Sequence, residues 1–202
     1  MKALHVASGT GLTVTMAAAF GVVAGSLWRV ASGPAAPTAG QPAPAFRAER
    51  LSGGWLALSD LRGQVVLLDF WATWCPPCVA SIPHLQHLHQ TYSGDGLAVV
   101  GVNQEPNARE PVRQFLRRRG LSFPNVADAG RDVARRYGVY TYPTTVLVDR
   151  HGRIARRYRG TVSAARLERD VRDLLAEPGP TAGAGVGPGE QATGVGSADF
   201  AP

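Results

Sequence analysis

Cys75 and Cys78 are the only cysteines in this 202-residue chain, and both lie in the stretch DFWATWCPPC, Asp69 to Cys78. A pair at this spacing can be a structural staple, half of a metal site, or a couple that cycles between dithiol and disulfide. As a staple it closes so short a loop that it removes little chain entropy and stabilises weakly. As a metal site it needs partners, and His84, His87 and His89 follow closely. On a continuous helix, however, six residues separate Cys78 from His84 by roughly 9 Å of rise. One tetrahedral site needs its donors far closer together. The histidines are therefore expected to form a solvated face, with no metal and no cofactor beyond the cysteine pair. Thiol-disulfide exchange fits a pair at a strand-to-helix junction. Cys75 at the helix N-cap gains thiolate character from unpaired N–H groups and the helix dipole. Cys78, one turn on, is placed to resolve a mixed disulfide by attacking Cys75.

The neighbours bear on that chemistry. Pro76 and Pro77 stiffen a helix start, where proline is tolerated. They also remove donors: an N-cap sulfur accepts from the N–H groups two and three residues on, and Pro77 has none. Only the Cys78 N–H remains for Cys75, so its thiolate is expected to be less stabilised than in an oxidant, and the pair more reducing. Asp69 is unusual inside VVLLDFW, because a buried strand seldom holds a carboxylate without a reason. Desolvation is expected to raise its pKa and suit it to move a proton to and from Cys78. The alternative is an acid near the strand end bonded to a neighbouring backbone group or hydroxyl. Trp74, beside Cys75, is the expected substrate contact, and Trp71 a packing aromatic. Glu105 lies near the site by analogy or is simply a solvated loop residue.

The elements that must hold these residues are legible as changes of period. AFRAERLSGGWLALSDL suggests a hairpin turning at Gly53-Gly54. QVVLLDFWA is a continuous apolar run, as in a strand covered on both faces, and GLAVVGVN is a second. A helix is predicted from Cys75 to about Tyr92, another over REPVRQFLRRRG with Gly120 as its stop, and a short one over DVARRYGV. TTVLVDRHGRIARRYRG reads as a hairpin turned at Asp149 to Gly152. SAARLERDVRDLLAE reads as an amphipathic helix capped by Ser163. That order predicts an α/β fold with a central mixed β-sheet and helices on both faces.

The flanks carry no core. Residues 1–30 hold an uncharged stretch, Ala3 to Trp28, long for a signal-peptide core and short for a strong membrane span. It is read as an uncleaved signal anchor or a cleaved signal peptide, and either sends the rest of the chain out of the cytoplasm. Residues 31–45 form a Pro/Ala-rich linker, 46–177 the working domain, and 178–202 a Gly/Ala/Pro tail expected to be disordered. The net charge of +6 is carried by arginine, since Lys2 is the only lysine. No nucleic-acid motif accompanies the Arg117–Arg119 or Arg153–Arg159 runs, so they are read as solvated faces and no nucleic-acid partner is expected. An anionic membrane surface or an acidic protein remains as an alternative partner for them.

FWATWCPPC resembles the active site of the thioredoxin superfamily, and TYPTTVLVDRHGRI resembles its later cis-proline strand. With the early hairpin, NQEP, FPNVAD and the N-terminal segment, the chain is similar to the membrane-tethered TlpA/ResA-like branch, which includes the CcmG/DsbE-type proteins of cytochrome c maturation. The resemblance covers roughly Phe46 to Leu175. It implies a thioredoxin-like fold with an extra N-terminal β-hairpin, Cys75 as nucleophile, Cys78 as resolver, and Pro143 after Tyr142 as the cis-proline beside the disulfide. Such a proline turns the preceding backbone toward a substrate chain. It also implies protein disulfide substrates, apocytochrome c foremost, and a transmembrane thiol carrier as electron donor. A general oxidant or isomerase of secreted proteins and a copper or other metal carrier are the competing readings. Two positions depart from related patterns. The tethered branch usually places a Glu three residues after the second cysteine, where this chain has Ser81, which leaves more of the tuning to Asp69. A peroxidase of this ancestry wants a Thr three residues before its cysteine, where Ala72 stands.

Overall fold

In a computed structural model, residues 36–106 and 109–180 are described. The expected anchor or signal segment, the first residues of the linker and the tail beyond residue 180 lie outside the described residues. The elements run β1 (Arg47–Glu49), β2 (Trp55–Ala57), β3 (Val65–Trp71), α1 (Pro76–Tyr92), β4 (Leu97–Asn103), α2 (Arg109–Arg118), β5 (Asn125–Ala127), α3 (Asp132–Arg136), β6 (Thr144–Val148), β7 (Ile154–Arg159) and α4 (Ala164–Ala176). β1 and β2 pair as a separate antiparallel hairpin, and the other five strands form a mixed sheet in the order β5-β4-β3-β6-β7. β3 runs parallel to β4 and antiparallel to β6.

β3 is central, and all seven of its residues are buried, which is why its sequence is apolar without alternation. The period of two still sorts its side chains. Val66, Leu68 and Phe70 pack on one face with Phe46 and Leu56 of the hairpin region and with Val133, Ala134 and Tyr137 around α3. Val65 and Leu67 pack on the other with Leu85 and Leu88 of α1 and Leu167, Val171 and Leu174 of α4. Helices therefore cover both faces, and Asp69, two residues on from Leu67, belongs to the α1/α4 face. α1 buries Cys78, Ile82, Leu85 and Leu88, one stripe at helical spacing that docks the helix bearing the cysteines onto the sheet. α2 buries Val112 in a third cluster with Trp71, Cys75 and Cys78. Trp71 Nε1 donates to Asn125 Oδ1 at 3.0 Å across Gly101, where an added Cβ would lie 2.0 Å from that oxygen. Only glycine lets this bond pass.

Two local expectations differ from what is found. Ser163 occupies the N-cap of α4, but its hydroxyl makes no capping bond. Its exposed position leaves the first helix N–H groups to its own carbonyl and to solvent. The second half of the expected linker is laid against the domain. Gly40 N donates to Ile154 O at 2.8 Å, Ile154 N to Gln41 O at 2.9 Å, and Ala43 N to Gly152 O at 2.9 Å. Pro37 and Pro44 offer carbonyls and no N–H, and side-chain donors meet these and two neighbouring carbonyls. Arg157 donates to Pro37 O, Tyr137 to Pro44 O, Arg153 to Gly40 O and Arg136 to Ala45 O. Several arginines read as solvated in the sequence thus hold this strap.

Candidate active site

Cys75 is the N-cap of α1, and its sulfur is joined to Cys78 by a disulfide with Cα atoms 5.3 Å apart. Cys75 is 5% exposed and Cys78 is fully buried. Pro76 and Pro77 open the helix, and the Cys78 N–H donates to Cys75 Sγ at 3.3 Å. No other donor to that sulfur is found among the described residues. Ser81, at the position where an acid was expected by resemblance, turns its hydroxyl back onto the Cys78 carbonyl at 2.8 Å.

The surface around the disulfide comes from the loop before β6. The Tyr142–Pro143 peptide is cis, and Gly160 N ties the Pro143 carbonyl to the end of β7 at 2.8 Å. Trp74 is 63% exposed and stands edge-on to Tyr142 with ring centres 6.0 Å apart. Arg131, at φ 59°, places its guanidinium 5.6 Å over the Tyr142 ring. The Tyr142 hydroxyl lies 3.3 Å from Gln104 Oε1, Gln104 Nε2 donates to Asp128 Oδ2, and Asp128 accepts from the Val133 and Ala134 N–H groups. A buried chain of bonds thus runs from the first turn of α3 to the tyrosine beside the cis-proline. Neither Gln104 nor Asp128 was singled out in the sequence.

Asp69 is buried, and only one of its oxygens is bonded. Thr145 Oγ1, its cross-strand partner in β6, donates to Oδ1 at 3.0 Å, while Oδ2 is buried with no partner. Burial raises its pKa from 3.8 to about 7, with the Thr145 hydroxyl pulling the other way. Asp69 is thus hydroxyl-bonded, as one sequence expectation had it, and desolvated, the condition the other required. Asp69 lines a cavity of about 230 Å³ together with Pro77, Ser81, His84, Pro143 and Thr145. The cysteine helix, the cis-proline loop and the buried acid therefore meet at one void.

The histidines do not form a uniform solvated face. His87 is exposed, whereas His84 and His89 are half-buried. His84 stacks on His87 at 6.3 Å and also lines the Asp69 cavity. No cluster of three His, Cys, Asp or Glu side chains suited to a metal is found among the described residues.

Glu105 is a tether, a role its loop position did not suggest. Its carboxylate accepts from the Thr73 N–H at 2.6 Å, from Thr73 Oγ1 at 2.9 Å and from Asn103 Nδ2 at 3.2 Å, fixing the loop that carries Trp74 and Cys75 to the end of β4. Glu105→Ala leaves a part-buried N–H and a hydroxyl unpaired. It is expected to lower the stability of the oxidised protein by about 1–3 kcal/mol, measured by urea denaturation.

Residues 39–157 match the AhpC/TSA family. The chain is similar to the thiol-disulfide oxidoreductase ResA of Halalkalibacterium halodurans, with 39% identity over 133 residues, 64% of this chain and 73% of the relative. It is also similar to the protein of the same name from Bacillus subtilis, with 34% identity over 144 residues, 71% and 79% of the two chains. Among solved structures it superposes on a provisionally named thiol:disulfide interchange protein DsbE from Chlorobium tepidum with a TM-score of 0.65 and 33% identity, covering 69% of this chain and 99% of that one.

Proposed function

The chain belongs to the AhpC/TSA family, and from its likeness to the ResA and DsbE proteins we propose a reductase of protein disulfides that works outside the cytoplasm, with apocytochrome c as its client. At the coarser level it is a thiol-disulfide oxidoreductase of the ResA and DsbE type, with Cys75 and Cys78 as its redox pair. In the reducing direction the Cys75 thiolate attacks a client disulfide, forms a mixed disulfide and expels one client thiolate. Cys78 gives its proton to the Asp69 carboxylate and attacks Cys75 Sγ, releasing the second client thiolate. The client gains two electrons and leaves as two thiolates that take their protons from solvent, the Cys78 proton stays on Asp69, and the protein is left as the disulfide. Trp74, Tyr142 and the backbone before Pro143 form the surface on which the client segment lies, and Pro76 and Pro77 shape its floor.

The observation that carries the reducing direction is the single N–H on Cys75 Sγ. With proline at the two preceding positions, the thiolate loses donors that would stabilise the reduced form, which moves the couple toward more negative potential. Equilibration with glutathione is expected to give a value nearer thioredoxin, about −270 mV, than DsbA, about −120 mV. A DsbA-like value would turn the proposal to the oxidant reading. Insulin reduction is expected to need no added metal, which separates the reductase from a metal carrier.

The client, the electron donor and the location rest on the family resemblance and on the apolar stretch in residues 1–30. In cells, loss of the protein is expected to deplete c-type cytochromes. Restoration is expected with the wild-type chain, and not with Cys75→Ser or with a chain lacking residues 1–30. The transmembrane thiol carrier is the donor that would keep Cys75 and Cys78 reduced there.

A further inference from the structure

Two buried polar atoms without a hydrogen-bond partner belong to side chains that line one cavity: Asp69 Oδ2 from β3 and His84 Nε2 from α1. A buried polar atom without a partner is costly, so a pair of them on one cavity is unexpected unless something joins them. The pocket, a cleft of about 230 Å³ that is partly open to solvent, has room for several waters. Ser81, Thr145 and Thr161 add hydroxyls to its wall, which gives a bound water the two to four polar partners it requires.

We infer that this cavity is a proton path, in which water joins Asp69 Oδ2 to His84 Nε2 and His84 exchanges the proton with solvent. The inference rests on Asp69 being the base for Cys78. In the reducing step Asp69 takes one proton from the Cys78 thiol, and it returns one when the disulfide is reduced again; between the two steps the carboxyl exchanges its proton with solvent. Asp69 is only 2% exposed, so it has little solvent of its own. His84 is half-buried and lines the same cavity as Asp69, beside the Ala164 backbone at the start of α4. The charged and titratable groups around it are His87 on its own helix, Glu168 on α4, and Asp69 across the cavity on β3; the Ala164 backbone also adjoins the ring. Burial lowers the His84 pKa below the ordinary imidazole range, Glu168 and the Ala164 backbone push it up, and His87 pushes it down. The net lowering keeps the ring neutral at pH 7, with a lone pair free to take the proton. His87, exposed and outside the cavity wall, has no part in this path.

The test is steady-state insulin reduction driven by dithiothreitol, with the full-length chain and its His84→Gln, His84→Ala, His87→Gln and Asp69→Asn variants, from pH 5.5 to 8.5. Both His84 variants are expected to lose about tenfold at pH 7, less than the roughly 10²-fold or more of a direct general base. Added imidazole is expected to restore His84→Ala, and His87→Gln to match the wild type. Wild-type rates and pH profiles in both His84 variants overturn the path. So does a loss in His84→Ala that imidazole leaves unchanged, because that is the mark of a packing defect. If Asp69→Asn is slow while the His84 variants are normal, the path fails and the base stands. If Asp69→Asn also behaves as wild type, the assignment of the base fails with it.

Discussion

Cys78→Ser is expected to convert the protein into a trap that attacks once and stops. The two sulfurs are not equivalent: Cys75 reaches the surface at the helix start, whereas Cys78 is fully enclosed by the cluster of Trp71, Ile82 and Val112. A client disulfide can therefore meet only Cys75. With serine at position 78, the backbone N–H that donates to Cys75 Sγ is retained, so the first attack proceeds and the mixed disulfide has no resolving thiol. Turnover is expected to fall to background. A stoichiometric covalent adduct should accumulate, visible by mass spectrometry without reductant and lost on adding dithiothreitol. Cys75→Ser is expected to form no adduct at all, because the remaining thiol is inaccessible. An adduct in Cys75→Ser at a rate comparable to that in Cys78→Ser would refute the assignment of roles. In cells, the trapped adduct of Cys78→Ser identifies the client directly.

The second large effect is expected from Asp69→Asn, and it has opposite signs for activity and for stability. At pH 7 the exchange rate should fall about 10²-fold, the lower range for loss of a general base, and the rise of rate with pH around 7 should disappear. Stability should increase. A carboxyl that titrates at about 7 in the folded protein and at 3.8 when unfolded binds its proton more tightly in the folded state. Between those two pH values the folded chain holds the extra proton, so stability falls as pH rises from about 4 to about 7 and is flat above. The accumulated cost is about 4 kcal/mol for the oxidised protein at pH 8. Asp69→Asn keeps a group that can accept from Thr145 and removes the charge, so the variant is expected to gain most of that amount and to lose the pH dependence. Urea unfolding at pH 5 and pH 8 measures both. Equal stabilities of wild type and variant at pH 8 would mean that Asp69 is not desolvated as described.

These two predictions rest on residues that the sequence exposed for a simple reason: each breaks a local pattern. Asp69 interrupts an apolar run, and two prolines separate the only cysteines. The strands and helices around them were legible for a related reason, since β3, β4, α1 and α4 are long enough to show their period. β5 was not, because three residues, Asn125–Ala127, carry no period, and its pairing with β4 is tertiary. Thr145 was missed because its meaning lies in register. It faces Asp69 only because β6 pairs antiparallel with β3 across 76 residues of chain. Gln104 and Asp128 are in the same position, joined through β4 and the start of α3. His84 looked like one of three surface histidines, since the spacing of 84, 87 and 89 does not say which ring tucks under α4. The strap was hidden by composition. Pro/Ala-rich chain is read as linker, yet its carbonyls need only donors, and the arginines that supply them are far away in sequence.

That strap, together with the loop after β1, decides how this protein behaves in crowded company. A mixed sheet has two lateral borders, and unpaired borders recruit other strands. Here Gly40, Gln41 and Ala43 pair with the first residues of β7 and the turn before it. On the opposite border Arg50 bridges to Val126, and Leu51 N donates to Asn125 O. The start of one border and part of the other are thus paired with the chain's own backbone. In the proposed reductase, those positions are closed to strands of a client or of another copy. In the proposed function a client segment pairs with the backbone before Pro143, so that meeting the sheet there and meeting the disulfide are one event.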